Sequence, residues 1–159
     1  MDCVDKIWRH PLYQVNYEKL QELEKDRKFC NHTLTHFLDV ARLAYIFSLE
    51  QGLSLTKKEI YGAALLHDIG RAKQYTDGTP HEVAGAQLAK QILEDSGCFS
   101  AEEKEQILSA IKEHRVKESG TSLGEIIYRA DKQSRNCFNC DAAAECNWAM
   151  EKRNLTIRY

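Results

Sequence analysis

Apolar positions along this chain recur at steps of three and four, with polar residues filling the steps between them. That is the periodicity of amphipathic helices. His36, Val40, Leu43 and Phe47 form one stripe, Ile107, Ala110, Ile111 and His114 a second, and Leu123, Ile127 and Asp131 a third. The spacing predicts helices over about 12–26, 31–51, 56–69, 80–96, 101–115, 122–135 and 139–152. Starts with the S/T-x-x-E capping pattern occur at Thr56 to Glu59, Thr79 to Glu82, Ser100 to Glu103 and Ser122 to Glu125. In that pattern the hydroxyl accepts from the backbone and the carboxylate reaches back to the cap. Pro80, after Thr79, takes the first helical position, which tolerates proline. Gly52, Gly70, Asp77-Gly78, Gly97 and Ser119-Gly120 mark the connections. The expected fold is all-α, a compact bundle of about six to seven helices. It forms one domain over 1–159, with a cysteine-containing tail at about 136–159.

Polar groups interrupt these stripes in a particular way. The run Ala63-Ala64-Leu65-Leu66 ends on His67 and Asp68, followed by Ile69, Gly70, Arg71 and Lys73. A buried charge is costly unless it is paired or coordinates a metal. His36 lies within its stripe, His114 at the end of another, Asp131 on an apolar face, and His81 in a first helical turn. Any one of these alone reads as a hydrogen-bonded core residue. Four histidines and two aspartates on five helices, all on inward faces or helix ends, read as groups converging on a point. Neutral imidazole and carboxylate are the ligands that borderline and harder divalent metals take, and helical bundles build such sites from facing helices.

The totals narrow the partners. Twenty-two basic residues stand against 24 acidic ones in 159. No extended basic field is therefore available for nucleic acid or a membrane surface. No window approaches the length of apolar chain that a membrane span needs, and the start lacks the pattern of a signal peptide. The expected location is the cytoplasm. There, six cysteines are expected to remain thiols.

His36, then His67-Asp68, then Asp131, in the contexts HFLDVARLA, AALLHDIGR and IIYRADK, resemble the HD-domain phosphohydrolase superfamily over about residues 30–135. HEVAGAQLA from His81 and ILSAIKEHR ending at His114 resemble its H…HD…H…H…D subgroup, nearest the branch that hydrolyses diadenosine tetraphosphate symmetrically. The resemblance implies two metal ions, the first on His36, His67, Asp68 and Asp131, the second on His81, His114 and a bridging Asp68. His67 and Asp68 would be the catalytic pair, and a water activated by the ions would attack a phosphate ester or anhydride, expected to be that of a nucleotide. Iron or manganese suits such a donor set best, with magnesium, nickel or zinc as alternatives. Arg71, Lys73, Arg115 and Arg135 are the candidates to meet substrate phosphate, each with a second reading as a helix-end charge. The segments after His114 and Asp131 depart from the diadenosine-tetraphosphate branch, so the resemblance implies the metal site more firmly than the substrate. Two other functions fit the same residues: an HD-type di-iron oxygenase, and a nucleotide-binding or redox-sensing module without turnover.

The tail carries Cys137, Cys140 and Cys146 in a C-x2-C-x5-C spacing. Thiolates so placed ligate zinc or an iron–sulfur cluster. A fourth ligand would have to come from Cys30, His32 or elsewhere. The other reading is that these are small packing residues of a terminal helix. His32 reads as a partly exposed helix-start residue, with a role beside His36 or at the tail site as the alternatives. His10 reads as a surface residue.

Overall fold

A computed structural model describes residues 1–115 and 120–159 of the protein. The described residues form eight α-helices and no strand: α1 Asp2–Arg9, α2 Pro11–Leu23, α3 Leu34–Glu50, α4 Lys57–Leu66, α5 Arg71–Asp77, α6 His81–Ser96, α7 Ala101–Glu113 and α8 Ser122–Gln133. The all-helical class read from the periodicity is the class observed. The connection expected at Ser119-Gly120 falls partly outside the described residues.

α4 is the axis of the assembly. Ile60, Ala63, Ala64, Leu65 and Leu66 are all buried, so the helix is apolar on every side. Such a helix is stable only when surrounded. α1, α3, α6, α7 and α8 all pack against it. A capping box holds its start: the Thr56 hydroxyl accepts from the Glu59 backbone, and the Glu59 carboxylate returns to the Thr56 backbone. Ser100 and Glu103 form the same device at α7. The other two capping patterns act differently. Thr121, one residue earlier than expected, caps α8 by accepting from Gly124. Pro80 is the cap of α6 and not its first helical residue, and Glu82 turns toward His81 instead of back to the cap.

Two helices lie where no helix was expected. α1 buries only Val4 and Ile7, and α5 only Ala72. Stripes this short carry little periodic signal. The helix expected over 139–152 is absent; three short 3-10 turns stand at Cys137–Asn139, Ala143–Glu145 and Met150–Lys152. No residue from Lys132 to Tyr159 is buried, so no apolar face stabilises a helix there. The asparagines and Asp141 in this stretch favour turns by competing for backbone groups. His10 is half-buried, a correction to the surface reading. Its Nδ1 accepts from the Leu12 backbone to cap α2, and its Nε2 lies 3.3 Å from Asp95.

Candidate metal centre

α4 ends at Leu66, and the chain turns through His67, Asp68, Ile69 and Gly70 before α5 begins. The turn lies against α6, with Gly70 packed on the backbone of His81 and Gly85. α3 brings His36 to this point, α6 brings His81, the end of α7 brings His114, and α8 brings Asp131. All six side chains are buried, His67 and His81 completely.

Asp68 stands at the middle. Its Oδ2 is 3.2 Å from His67 Nε2, and its Oδ1 is 3.2 Å from His81 Nε2 and 3.5 Å from His114 Nε2. Asp131 Oδ1 lies 3.3 Å from His36 Nε2 and 3.8 Å from His67 Nε2. The ligand atoms fall into two tight groups, His36, His67, Asp68 and Asp131 on one side and Asp68, His81 and His114 on the other. Asp68 belongs to both.

The outer nitrogens decide what the inner ones can do. His67 Nδ1 donates to the Ala64 carbonyl at 2.7 Å and His114 Nδ1 to the Ile111 carbonyl at 2.6 Å. His81 Nδ1 donates to the Gln74 side-chain oxygen at 2.9 Å. Ser134 gives its hydroxyl proton to the Asp131 carbonyl and accepts from His36 Nδ1 at 3.2 Å. In each neutral ring the Nε2 lone pair therefore faces inward, the second-sphere arrangement that orients histidine toward a metal. The Nε2 atoms of His81 and His114 are only 3.1 Å apart, two lone pairs with no proton between them. His67 Nε2 is buried without a hydrogen-bond partner among the described residues. Two nitrogens bound at right angles to one ion at ~2.1 Å would lie about 3.0 Å apart. The donor set thus fits divalent metal.

The HD domain model matches residues 33–136. The chain belongs to the HD domain family. It is 44% identical to an uncharacterized protein of Clostridium beijerinckii, with both chains covered completely. It is 34% identical to a ribonuclease Y of Oleidesulfovibrio alaskensis over 92 residues, which is 58% of this chain but only 17% of that protein. The crystal structure of a predicted HD superfamily hydrolase from an uncultured Thermotogales bacterium superposes with a TM-score of 0.60 at 25% identity. The match covers 88% of this chain and 80% of that one. The fold is thus that of an HD superfamily hydrolase, and no helix among the described residues is long and apolar enough to cross a membrane.

Around the HD centre, cations sit on the ligands. Arg71 Nε donates to Asp68 Oδ1 at 2.8 Å, Lys132 Nζ to Asp131 Oδ2 at 2.7 Å, and Arg135 to His36 Nε2 at 3.0 Å. Arg115 stands farther out, 3.9 Å from Glu82. Lys73 does not join them. It is exposed and lines a surface depression with Leu12, Asn16 and Gln87, because it lies half a turn beyond Arg71 on α5. Lys132 was not among the residues singled out from the sequence; its place directly after Asp131 was the available signal.

His32 corrects the sequence reading most. It is buried, not partly exposed, and precedes α3, whose cap is Thr33. Its Nε2 faces Asp68 Oδ2 at 3.3 Å, and its Nδ1 is 2.6 Å from Glu24 Oε1. Glu24 also accepts from the His32 backbone at 2.7 Å and from the Tyr75 hydroxyl at 2.7 Å. A Glu24–His32–Asp68 line therefore enters the centre from α2. No periodicity marks Glu24, because it caps the end of α2 and is placed only by the fold.

Burial acts on every titrating group here. It holds His36 down to about 4 and His81 to about 3, so both stay neutral and able to ligate. Burial also disfavours a charged His67, but Asp68 and Asp131 outweigh it and push the ring up to about 9. Asp68 and Asp131 lie well below the usual carboxylate range, as facing histidines overcome the cost of burial.

Glu24 gives a pH prediction. Burial works against its charge, but the hydrogen bond from His32 prevails and lowers it from 4.5 to about 2. A carboxyl depressed by folding stabilises the fold above its unfolded value and loses that contribution as pH falls through the folded one. Glu24→Gln is expected to lower stability by on the order of 2 kcal/mol at neutral pH. Denaturant melts should show the gap closing as pH falls from 4.5 toward about 2. A gap independent of pH would show that the Glu24 charge contributes nothing.

Proposed function

We propose that this HD protein is a dinuclear metal-dependent phosphohydrolase, with a nucleotide-sized phosphodiester or phosphoanhydride as substrate. One observation carries the reading: the inward Nε2 lone pairs of His36, His67, His81 and His114, gathered around two buried carboxylates with Asp68 common to both groups. Such a set is held together by cations. Two ions, when bound, would acidify a water and offset the charge of the phosphoryl group. His36, His67, Asp68 and Asp131 would hold one, and Asp68, His81 and His114 the other. Iron or manganese suits the mixture of imidazole and carboxylate.

The chain's own groups prepare the substrate. Arg71, Lys132 and Arg135 ring the ligands with positive charge where an anionic substrate must approach. Lys132 also borders a groove of about 1100 Å³ that includes Arg115, Arg129, Lys152, Arg153 and Arg158, against the acidic Glu125 and Glu151. That size accommodates a nucleotide or a dinucleoside polyphosphate. The likeness to ribonuclease Y supports the phosphodiester class. Six free thiols suit a cytoplasmic enzyme. His32 stands outside both tight groups and is linked through Nδ1 to Glu24. In this reading it orients the Asp68 carboxylate through its Nε2.

Protein loaded anaerobically with manganese or iron should hydrolyse nucleotides, dinucleoside polyphosphates or a nitrophenyl phosphodiester. A chelator should abolish turnover, and added metal should restore it. Full metal occupancy with no turnover across this panel would overturn the reading, and oxygen consumption in its place would point to the oxygenase chemistry.

A further inference from the structure

The segment after α8 has a packing problem. It contains no buried residue, yet it keeps a defined course through its 3-10 turns. Chain without a core of its own is commonly held by a metal or a covalent staple. Hydrogen bonds supply part of the hold. Arg153 donates to the carbonyls of Ala143, Cys146 and Trp148, which closes the loop around Cys146. Asn154 fastens it to the carbonyls of Lys132 and Arg135. The 27–31 loop lies against the same segment: Lys28 pairs with Glu145 at 3.0 Å, and Arg135 donates to the Asn31 carbonyl at 2.9 Å.

That loop presents Cys30. Its φ is +42°, and it is the non-glycine residue in the left-handed region among those described. For a residue with a β-carbon this costs roughly 1–3 kcal/mol, and it persists only where the surroundings demand it. Burial pushes the Cys30 thiol up. Cys137, Cys146 and Cys140 are close enough to push the same way, while Arg135 opposes them. The Lys28–Glu145 and Arg135–Asn31 contacts on either side of Cys30 thus set it against the segment that carries Cys137, Cys140 and Cys146, four of the six free cysteines from two distant parts of the chain. Cys3 and Cys98 lie apart, beside each other.

We propose that Cys30, Cys137, Cys140 and Cys146 ligate an iron–sulfur cluster of the four-iron, four-sulfide type, separate from the histidine–aspartate centre. The spread of the thiols favours a cluster over a single ion. Zinc bound tetrahedrally at ~2.3 Å would hold its sulfurs about 3.8 Å apart. Among the described residues, the groups whose ligand atoms all lie within 4.8 Å of one another are the two histidine–aspartate sets, and the cysteines form no such group. A cluster offers each thiolate its own iron and so accepts a wider set. The cluster arrives by ligand exchange from a thiolate-ligated cluster carrier: four Fe–S bonds to the carrier break, four Fe–S(Cys) bonds form here, and the four thiol protons pass to the carrier's released thiolates. Cysteine, iron and sulfide keep their oxidation states.

The two centres share their supports. Cys30, His32 and His36 fall within seven residues of one another, as do Asp131, Arg135 and Cys137. Arg135 spans the gap, touching the Asn31 carbonyl and His36 Nε2. The cluster therefore anchors the tail and fixes the loop from which His32 enters the metal centre.

The test is iron, zinc and acid-labile sulfide per chain in the full-length protein purified anaerobically, with electron paramagnetic resonance after reduction. About four sulfides per chain are expected in the wild type, in Cys98→Ser and in Asp68→Ala. Cys30→Ser and Cys146→Ser should lose them while keeping the metal of the histidine–aspartate centre. Sulfide retained in Cys30→Ser would remove that residue from the site. The wild type decides the matter even if those variants fail to fold: zinc without sulfide overturns the cluster, and neither species after reconstitution overturns the site.

Discussion

Asp68→Ala is expected to lose both metal ions and to lower turnover by about a thousandfold or more, about 4 kcal/mol of barrier. The magnitude follows from its position. One oxygen faces His67 and His32, while the other faces His81, His114 and Arg71, so both ligand groups lose their shared carboxylate at once. Helical content should persist, because Asp68 lies in the turn between α4 and α5 and supports no helix of its own. Elemental analysis beside circular dichroism checks this. A folded variant with full metal occupancy and normal turnover would remove Asp68 from the centre. Asp131→Ala offers a graded comparison, since it should empty only the group that contains His36 and His67.

Gly70→Ala is expected to destabilise the protein by about 3 kcal/mol or more, a fall in Tm of roughly 10 °C. Its φ of −74° suits any residue, so the cost is one of space. A β-carbon there would stand 2.2 Å from the His81 carbonyl oxygen and 2.4 Å from the Gly85 nitrogen. Both are backbone atoms, so no side-chain rotation relieves the overlap and α6 itself must move. Since α6 carries His81, metal held with His114 should weaken before the rest. Gly52→Ala separates space from strain: its φ is +63° and its surroundings are open, so only about 1 kcal/mol is expected. Equal melting temperatures for Gly70→Ala and wild type would show that the two backbones do not meet so closely.

Much of the centre could be read without coordinates because several of its polar groups stand where an apolar stripe ought to continue. His36 replaces a hydrophobic residue between Thr33 and Val40, and Asp131 does so after Ile127. Such substitutions inside a strong period are conspicuous, since a helix has few ways to hide a polar group. His32 and Glu24 gave no such signal. Each lies just outside a helix, where no period applies, and their pairing spans eight residues of turn and loop. The tail differs from its expected helix for the converse reason: its alanines and glutamates suit a helix locally, but no core is there to dock against and its asparagines and Asp141 favour turns.

The sequence by itself determined the helical class, the extent of most helices and the identity of the six inward polar groups, because local periodicity and capping chemistry act within a few residues. Only the tertiary structure decided that Asp68 joins two groups, that Glu24 at the end of α2 and His32 before α3 reach the centre, that Lys73 faces away, and that the loop carrying Cys30 lies against the tail. Those relations depend on how separate helices pack. Packing is settled by the burial of whole surfaces, not by the residues that happen to be neighbours along the chain.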